Sequence, residues 1–135
     1  KRPKGSRAMA LLVPWILVVS LLAPGAAVGG LGAAQGATAE IQNLIEPLRA
    51  SAVAKAQKRG YSGADFEKWK AVSFKTQVVA GRTYIVKVQV GSDSFVHLRI
   101  FEPLPHTKVK PEVVAMELGH SEDSELRNFF NSIEL

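Results

Sequence analysis

The 135 residues suffice for one domain, and 47% of them are hydrophobic, enough for that domain to have its own core. The formal charge of +5 suggests a nucleic-acid partner only until the charges are placed. Lys1, Arg2, Lys4 and Arg7 precede Glu40, the first acidic residue, and beyond them thirteen basic residues face twelve acidic ones. Cysteine is absent, which excludes disulfides, thiolate metal sites and a cysteine nucleophile.

Lys1 to Met9 is polar and basic, Ala10 to Leu22 is an uncharged run of thirteen residues, and Ala23 to Gly30 is made mostly of small residues. Basic region, short apolar region and small-residue exit are the three parts of a secretory signal peptide. A helix of that length would span roughly 20 Å, short of the ~30 Å hydrocarbon core, and Pro14 and Pro24 weaken it further. Residues 1–27 are therefore expected to be a cleaved leader that directs secretion, with the cut after Ala27 or after Gly29. Met9 is a candidate initiator. Gly29 to Gly36 is rich in Gly and Ala with nothing to hold it, so residues 28–37 are expected to form a flexible arm.

From Thr38 a domain begins, expected over 38–130. Ile41, Leu44, Ile45, Leu48, Ala52, Val53 and Ala56 recur at helical spacing on one face. Glu40 near the start and Lys55, Lys58 and Arg59 near the end suit the helix dipole, and Gly60 is a natural stop. Pro47 removes a hydrogen bond and crowds the carbonyl of Asn43, which predicts a kink or a late helix start. After Gly63 the period becomes two. Phe66 to Gln77 reads as a faint strand, with Trp69, Val72 and Phe74. Tyr84, Val86, Val88 and Val90 share one face of the next. Gly91 to Ser94 makes a turn, after which Val96, Leu98 and Ile100 alternate with His97 and Arg99, and Val114, Met116 and Leu118 repeat the pattern. Strands in meander order with short connections pair antiparallel. The fold class is α+β, one long helix packed across a four- to five-stranded antiparallel sheet. Residues 131–135 follow as an extension without a reading.

Two loops depart from ordinary turn chemistry, which draws on Gly, Asn, Asp, Ser and Pro. Gln77-Val78-Val79-Ala80-Gly81 has an apolar tip with one glycine to allow the bend. Alternatively, Val78 and Val79 continue the strand and the turn falls at Gly81-Arg82. Glu102-Pro103-Leu104-Pro105-His106 is stiffened by two prolines and carries an exposed-looking leucine, or is an ordinary Pro-containing connection. In a meander, alternate hairpins open at the same end of the sheet, so both tips and the arm could line up there. A stiff apolar edge enters a cleft with little entropy left to lose.

Gln77-Val78-Val79-Ala80-Gly81 resembles the glutamine-valine-valine-alanine-glycine loop of the cystatin superfamily. Its surroundings are similar to the stefins, or type 1 cystatins: Lys75-Thr76 before the loop, Gly29-Gly30-Leu31, Ala39-Glu40-Ile41-Gln42, His97-Leu98-Arg99-Ile100-Phe101, Leu104-Pro105-His106 and Asp123-Ser124-Glu125-Leu126 with Phe130. The likeness runs from about Val28 to Phe130. It implies the cystatin fold and a reversible, tight-binding inhibitor of papain-like, cathepsin-type cysteine peptidases. In the family, arm and hairpins form a wedge over the catalytic cysteine. By this resemblance Gly29 or Gly30 is the hinge of the arm, and Val28 lies in the non-primed pockets. Val78, Val79, Ala80 and Gly81 sit over the catalytic centre, flanked by Gln77, while Leu104, Pro105 and His106 touch the primed side. Stefins are typically cytosolic and leaderless, so the cytoplasm is the alternative to secretion.

His97, His106 and His120 are scattered, one on a strand and two in loops, and no G-x-S-x-G, H-E-x-x-H or phosphate-binding glycine loop is present. An enzyme is not expected, nor a cofactor, a metal site, a nucleic-acid partner or a stable membrane span in the mature form. A monomer is expected, with a domain-swapped dimer as its alternative. The competing functional reading is a cystatin-fold binding module without inhibitory activity.

Overall fold

The apolar stripe that begins at Ile41 forms a helix, interrupted where the proline sits. The computed structural model describes residues 30–130. Thr38 caps helix α1 (Ala39–Ile45), its hydroxyl oxygen accepting from the Ile41 N–H at 3.3 Å. A 3-10 turn over Glu46–Leu48 follows, with Pro47 in its first turn, and helix α2 spans Arg49–Lys58. The expected kink is this tightened turn. Pro47 has no N–H to donate, and shortening the local ladder relieves its clash with the preceding turn. The dihedrals across the break stay helical, so Ile41, Ile45, Leu48, Ala52, Val53 and Ala56 remain buried in one core. Gly60, at φ 103°, ends α2: its N–H donates to the Gln57 carbonyl at 3.1 Å and the Tyr61 N–H to the Ala56 carbonyl at 3.1 Å. That pairing is a Schellman motif, and it needs a residue free to adopt positive φ.

Among the described residues, five strands form one antiparallel sheet in the order β1-β2-β3-β4-β5: β1 (Gln35–Gly36), β2 (Lys70–Val79), β3 (Gly81–Gly91), β4 (Ser94–Glu102) and β5 (Glu112–His120). Tyr84, Val86, Val88 and Val90 of β3 and Val96, Leu98 and Ile100 of β4 pack under the helix, as their alternation predicts. Two expectations shift. Phe66 and Trp69 precede β2 rather than lying in it. Both are buried and stacked, with ring centroids 5.6 Å apart, and the Trp69 indole N–H donates to the Ile45 carbonyl at 2.8 Å. In β5 the alternation breaks at Val114. Arg99 pairs with Ala115 and Ile100 with Val113, which leaves Val114 as the extra residue of a bulge. Val113 therefore takes the buried place expected of Val114.

The sheet's other face is covered too. Leu126 and Phe129 cross back over it and bury themselves against Ile85 and Ala115, with Leu31 packed alongside. The Lys87 ammonium, buried on that face, donates to the Glu122 carbonyl and pins the crossing segment. Residues 30–37, for which the sequence offers no hold, follow a fixed path along β2. Gly32 donates to the Thr76 carbonyl at 2.9 Å, Ala37 to the Val72 carbonyl at 3.0 Å, and Gln35 pairs with Phe74. The expected leader over residues 1–27, Val28 and Gly29, and residues 131–135 lie outside the described residues. Among the described residues no helix is long and apolar enough to cross a membrane.

Candidate functional site

The β2–β3 hairpin keeps its ladder to the last possible pair. Gln77 faces Thr83, Val78 faces Arg82 and Val79 faces Gly81, so Ala80 alone forms the apex. Both open readings of this loop are thus partly met: the valines continue the strand, yet they stand at its exposed end. Val78 is 51% exposed and Val79 38%, high values for aliphatic side chains in a strand. Gly81 makes the reversal possible. Its φ is 123°, and a Cβ there would lie 2.6 Å from the Glu102 carbonyl oxygen and 3.0 Å from Cζ of Phe101.

The same contact joins the two loops, because β4 ends at Glu102 and leads straight into Pro103-Leu104-Pro105-His106. Leu104 is extended, at φ −59° and ψ 141°, and 41% exposed. A 3-10 turn over Pro105–Thr107 closes behind it. The Leu104 carbonyl accepts from the Thr107 N–H at 3.0 Å and from the Thr107 hydroxyl at 2.7 Å, and Lys108 is left-handed at φ 59°. His106 is exposed on this turn. The Tyr84 hydroxyl donates to Oε1 of Glu102 at 3.1 Å, bracing the strand end, and burial above all pushes its phenol pKa up.

The register brings the arm to this end as well. β1 runs antiparallel to β2, so going back from Gln35 the chain climbs past Thr76 toward Val78, and Gly30 is exposed there. Three chain segments thus converge at one end of the sheet, and from Val78 to Gly81 and from Leu104 to Pro105 they carry no charge. Of the expected site residues, Gly30, Gln77, Val78, Val79, Ala80, Gly81, Leu104, Pro105 and His106 are described at this edge. Sequence reasoning missed Phe101 and Glu102, the seat of Gly81. The signal was the meander itself, which places the end of β4 beside the start of β3. A register shift between Gln89 and Gly91 offsets the pairing by one residue, so that Glu102 faces Arg82.

At the opposite end, two histidines expected to be scattered are neighbours. His97 on β4 and His120, the last residue of β5 rather than a loop residue, stack with centroids 3.6 Å apart and planes 10° from parallel. Glu117 lies between them, its Oε1 2.9 Å from Nε2 of His120 and 4.0 Å from Nδ1 of His97. Burial, and then the charges of His120 and Lys87, lower the His97 pKa from 6.5 to about 3. Spacing hid this cluster because strand pairing, not sequence proximity, assembles it.

A helix laid across a five-stranded antiparallel meander, with two stiff hairpins and an extended arm at one end, defines a fold of the cystatin class. The family model of the cystatin domain matches residues 29–118. The bovine protein named Stefin-C is 39% identical over 101 residues, covering 75% of this chain and 94% of that protein. Cystatin-B from pig is 42% identical over 101 residues, with 75% and 97% covered, and human Cystatin-B is 47% identical over 78 residues, with 58% and 74% covered. The chain belongs to the cystatin family, and its relatives put it with the stefin-like, type 1 members. It is accordingly a cysteine protease inhibitor and not an enzyme.

Proposed function

We propose that the protein inhibits papain-like, cathepsin-type peptidases reversibly and tightly, by filling the active-site cleft with the uncharged edge at one end of its sheet. The observation that carries this reading is the pair of exposed valines on a hairpin that is hydrogen-bonded to its last residue. Val78, Val79, Ala80 and Gly81, with Gln77 beside them, cover the catalytic centre. Leu104, Pro105 and His106 rest on the primed side. Gly29 and Gly30 let the arm bend so that Val28 reaches a non-primed pocket.

The energetics favour such a wedge. Each aliphatic side chain moved from water into an apolar pocket contributes up to roughly 1.5–3 kcal/mol. The ladder through Val79, the bonds to the Leu104 carbonyl and the glycine seat already fix the backbone, so little ordering entropy opposes association. One copy is enough, because all three segments come from a single chain.

For localisation two indications oppose each other. The order of residues 1–27 suggests a leader, whereas stefin-like membership favours the cytoplasm and gives the leader no support. N-terminal sequencing of the protein recovered from cells separates them: a start at Val28 or Gly30 in the medium means secretion, and retention of residues 10–22 inside the cell means the opposite.

The test of function is a titration of active papain with the folded chain starting at Val28. Stoichiometric, reversible inhibition is expected, with serine and metallopeptidases unaffected. A folded sample that leaves papain fully active at micromolar concentration overturns the proposal.

A further inference from the structure

We infer that His97, Glu117 and His120 form a binding site for a zinc-class divalent metal ion, at the end of the sheet opposite the inhibitory edge. The ligand atoms of the three side chains all lie within 4.8 Å of one another. Two imidazoles and one carboxylate are a donor set that zinc accepts readily, with a fourth position left to water. Donors on a tetrahedral zinc lie about 3.4 Å apart, given bonds of about 2.1 Å. The observed separations from Oε1 of Glu117, 2.9 Å to His120 and 4.0 Å to His97, bracket that value.

The independent observation is His97 itself. The residue is fully buried, and among the described residues neither ring nitrogen has a hydrogen-bond partner. Buried polar atoms in folded proteins are almost always satisfied, so an orphaned imidazole calls for an occupant of the space it faces. The 4.0 Å gap from Nδ1 to Glu117 is too long for a hydrogen bond and wide enough for an atom between them.

The three groups also divide the labour that binding needs. His97 is held rigidly between β3 and β5, opposite Lys87 and Glu117. The Glu117 and His120 side chains are 35% and 24% exposed, so they can close on the ion. Gly119, at φ 74°, sets the turn of the backbone that brings His120 over His97. Because the two rings lie nearly parallel, His120 must tilt to aim its lone pair at an ion shared with His97. The Lys87 ammonium works against the site, and its bond to the Glu122 carbonyl keeps that charge occupied elsewhere.

The experiment titrates the untagged 135-residue chain, stripped with chelator, with Zn2+ by calorimetry and with Co2+ by visible absorption. Residues 1–29 contain no His, Cys, Asp or Glu to confuse the result. One ion per chain and the d–d bands of tetrahedral Co2+ are expected at micromolar metal. His120→Ala and Glu117→Gln should each weaken binding by more than the roughly 10–100-fold that loss of an outer-shell partner causes. His106→Ala should leave metal binding intact. Both weakened variants alter partly exposed residues, and their melting in chelator should match the parent. The inference is overturned if no uptake occurs, as a water bridging His97 and Glu117 would give. It is equally overturned if both variants bind like the parent, or if His106→Ala removes the binding.

Discussion

Between β3 and β4 the chain turns through Ser92 and Asp93, polar, exposed residues whose turn is braced by the Gln89 amide donating to the Ser92 carbonyl at 3.3 Å. Between β2 and β3 it turns at Ala80, with Val78 and Val79 exposed on either side of the strand end. Both hairpins belong to one sheet and solve the same geometric problem, so the fold itself does not require the apolar tip. The first turn follows the ordinary chemistry of turns, and the second breaks it with no gain to the core. A local rule broken without structural compensation is expected at functional or strained sites, and the proposed contact with the peptidase falls at this one.

The contrast is broken most directly at Val79. Val79→Asp puts a charge into an apolar cleft and should weaken papain inhibition by several kcal/mol, more than a hundredfold. Stability should change by no more than about 0.5 kcal/mol, because the side chain is already partly in water. Asp93→Val, the reverse exchange at the other turn, should leave inhibition unchanged. A Val79→Asp protein that melts far below the parent and still inhibits would show that the valine serves the core instead.

The glycines of the two hairpins sharpen the contrast. At Gly81 an added methyl meets the Glu102 carbonyl at a φ that L residues rarely adopt, so Gly81→Ala should destabilise the protein by about 1–3 kcal/mol. Inhibition should weaken too, since Glu102 leads into the second loop. At Gly91 a Cβ would meet Oε1 of Glu67 at 3.3 Å, the end of a long side chain that can move, and Gly91→Ala should be nearly neutral. Thermal melting and papain titration of both variants read the difference.

A pH-dependent effect belongs to the far end alone. Unfolded His97 takes up a proton near pH 6.5, whereas folded His97 does so only at about 3. In that interval the unfolded chain binds more protons, so stability falls as the pH drops. The contribution is complete above pH 6.5 and declines progressively below it. Lys87 from β3 and Glu117 and His120 from β5 face the ring, and the charges of His120 and Lys87 reinforce the trend that burial sets. Melting between about pH 7 and about pH 4 should show the decline, and His97→Leu should flatten it.

Much of this was legible in the chain. The helical stripe from Ile41 to Ala56 and the alternation in β3 and β4 read directly, because each bears a single periodicity. The Gln77–Gly81 tip stood out because its residues are wrong for a solvated turn. What escaped were features that depend on distant segments meeting. The bulge at Val114 arises from pairing with Arg99 and Ile100, not from any local residue preference. The second layer over Ile85 is built by Leu126, Phe129 and Leu31, isolated apolar residues in otherwise polar or glycine-rich stretches. The His97–His120 stack joins residues that only the β4–β5 register brings together. Pro47 was visible as an interruption, but its mildness depends on the turn around it keeping helical dihedrals.

The central claim is that one end of the sheet enters the peptidase and the other does not. Amide spectra of the 15N-labelled protein, free and bound to inactivated papain, test it most directly. Residues 78–81, Leu104 and His106, with Gly30, should shift or broaden on binding, while residues 91–94 and 117–120 should stay in place. Perturbation of the Ser92-Asp93 turn with Val78–Gly81 unchanged would contradict the account.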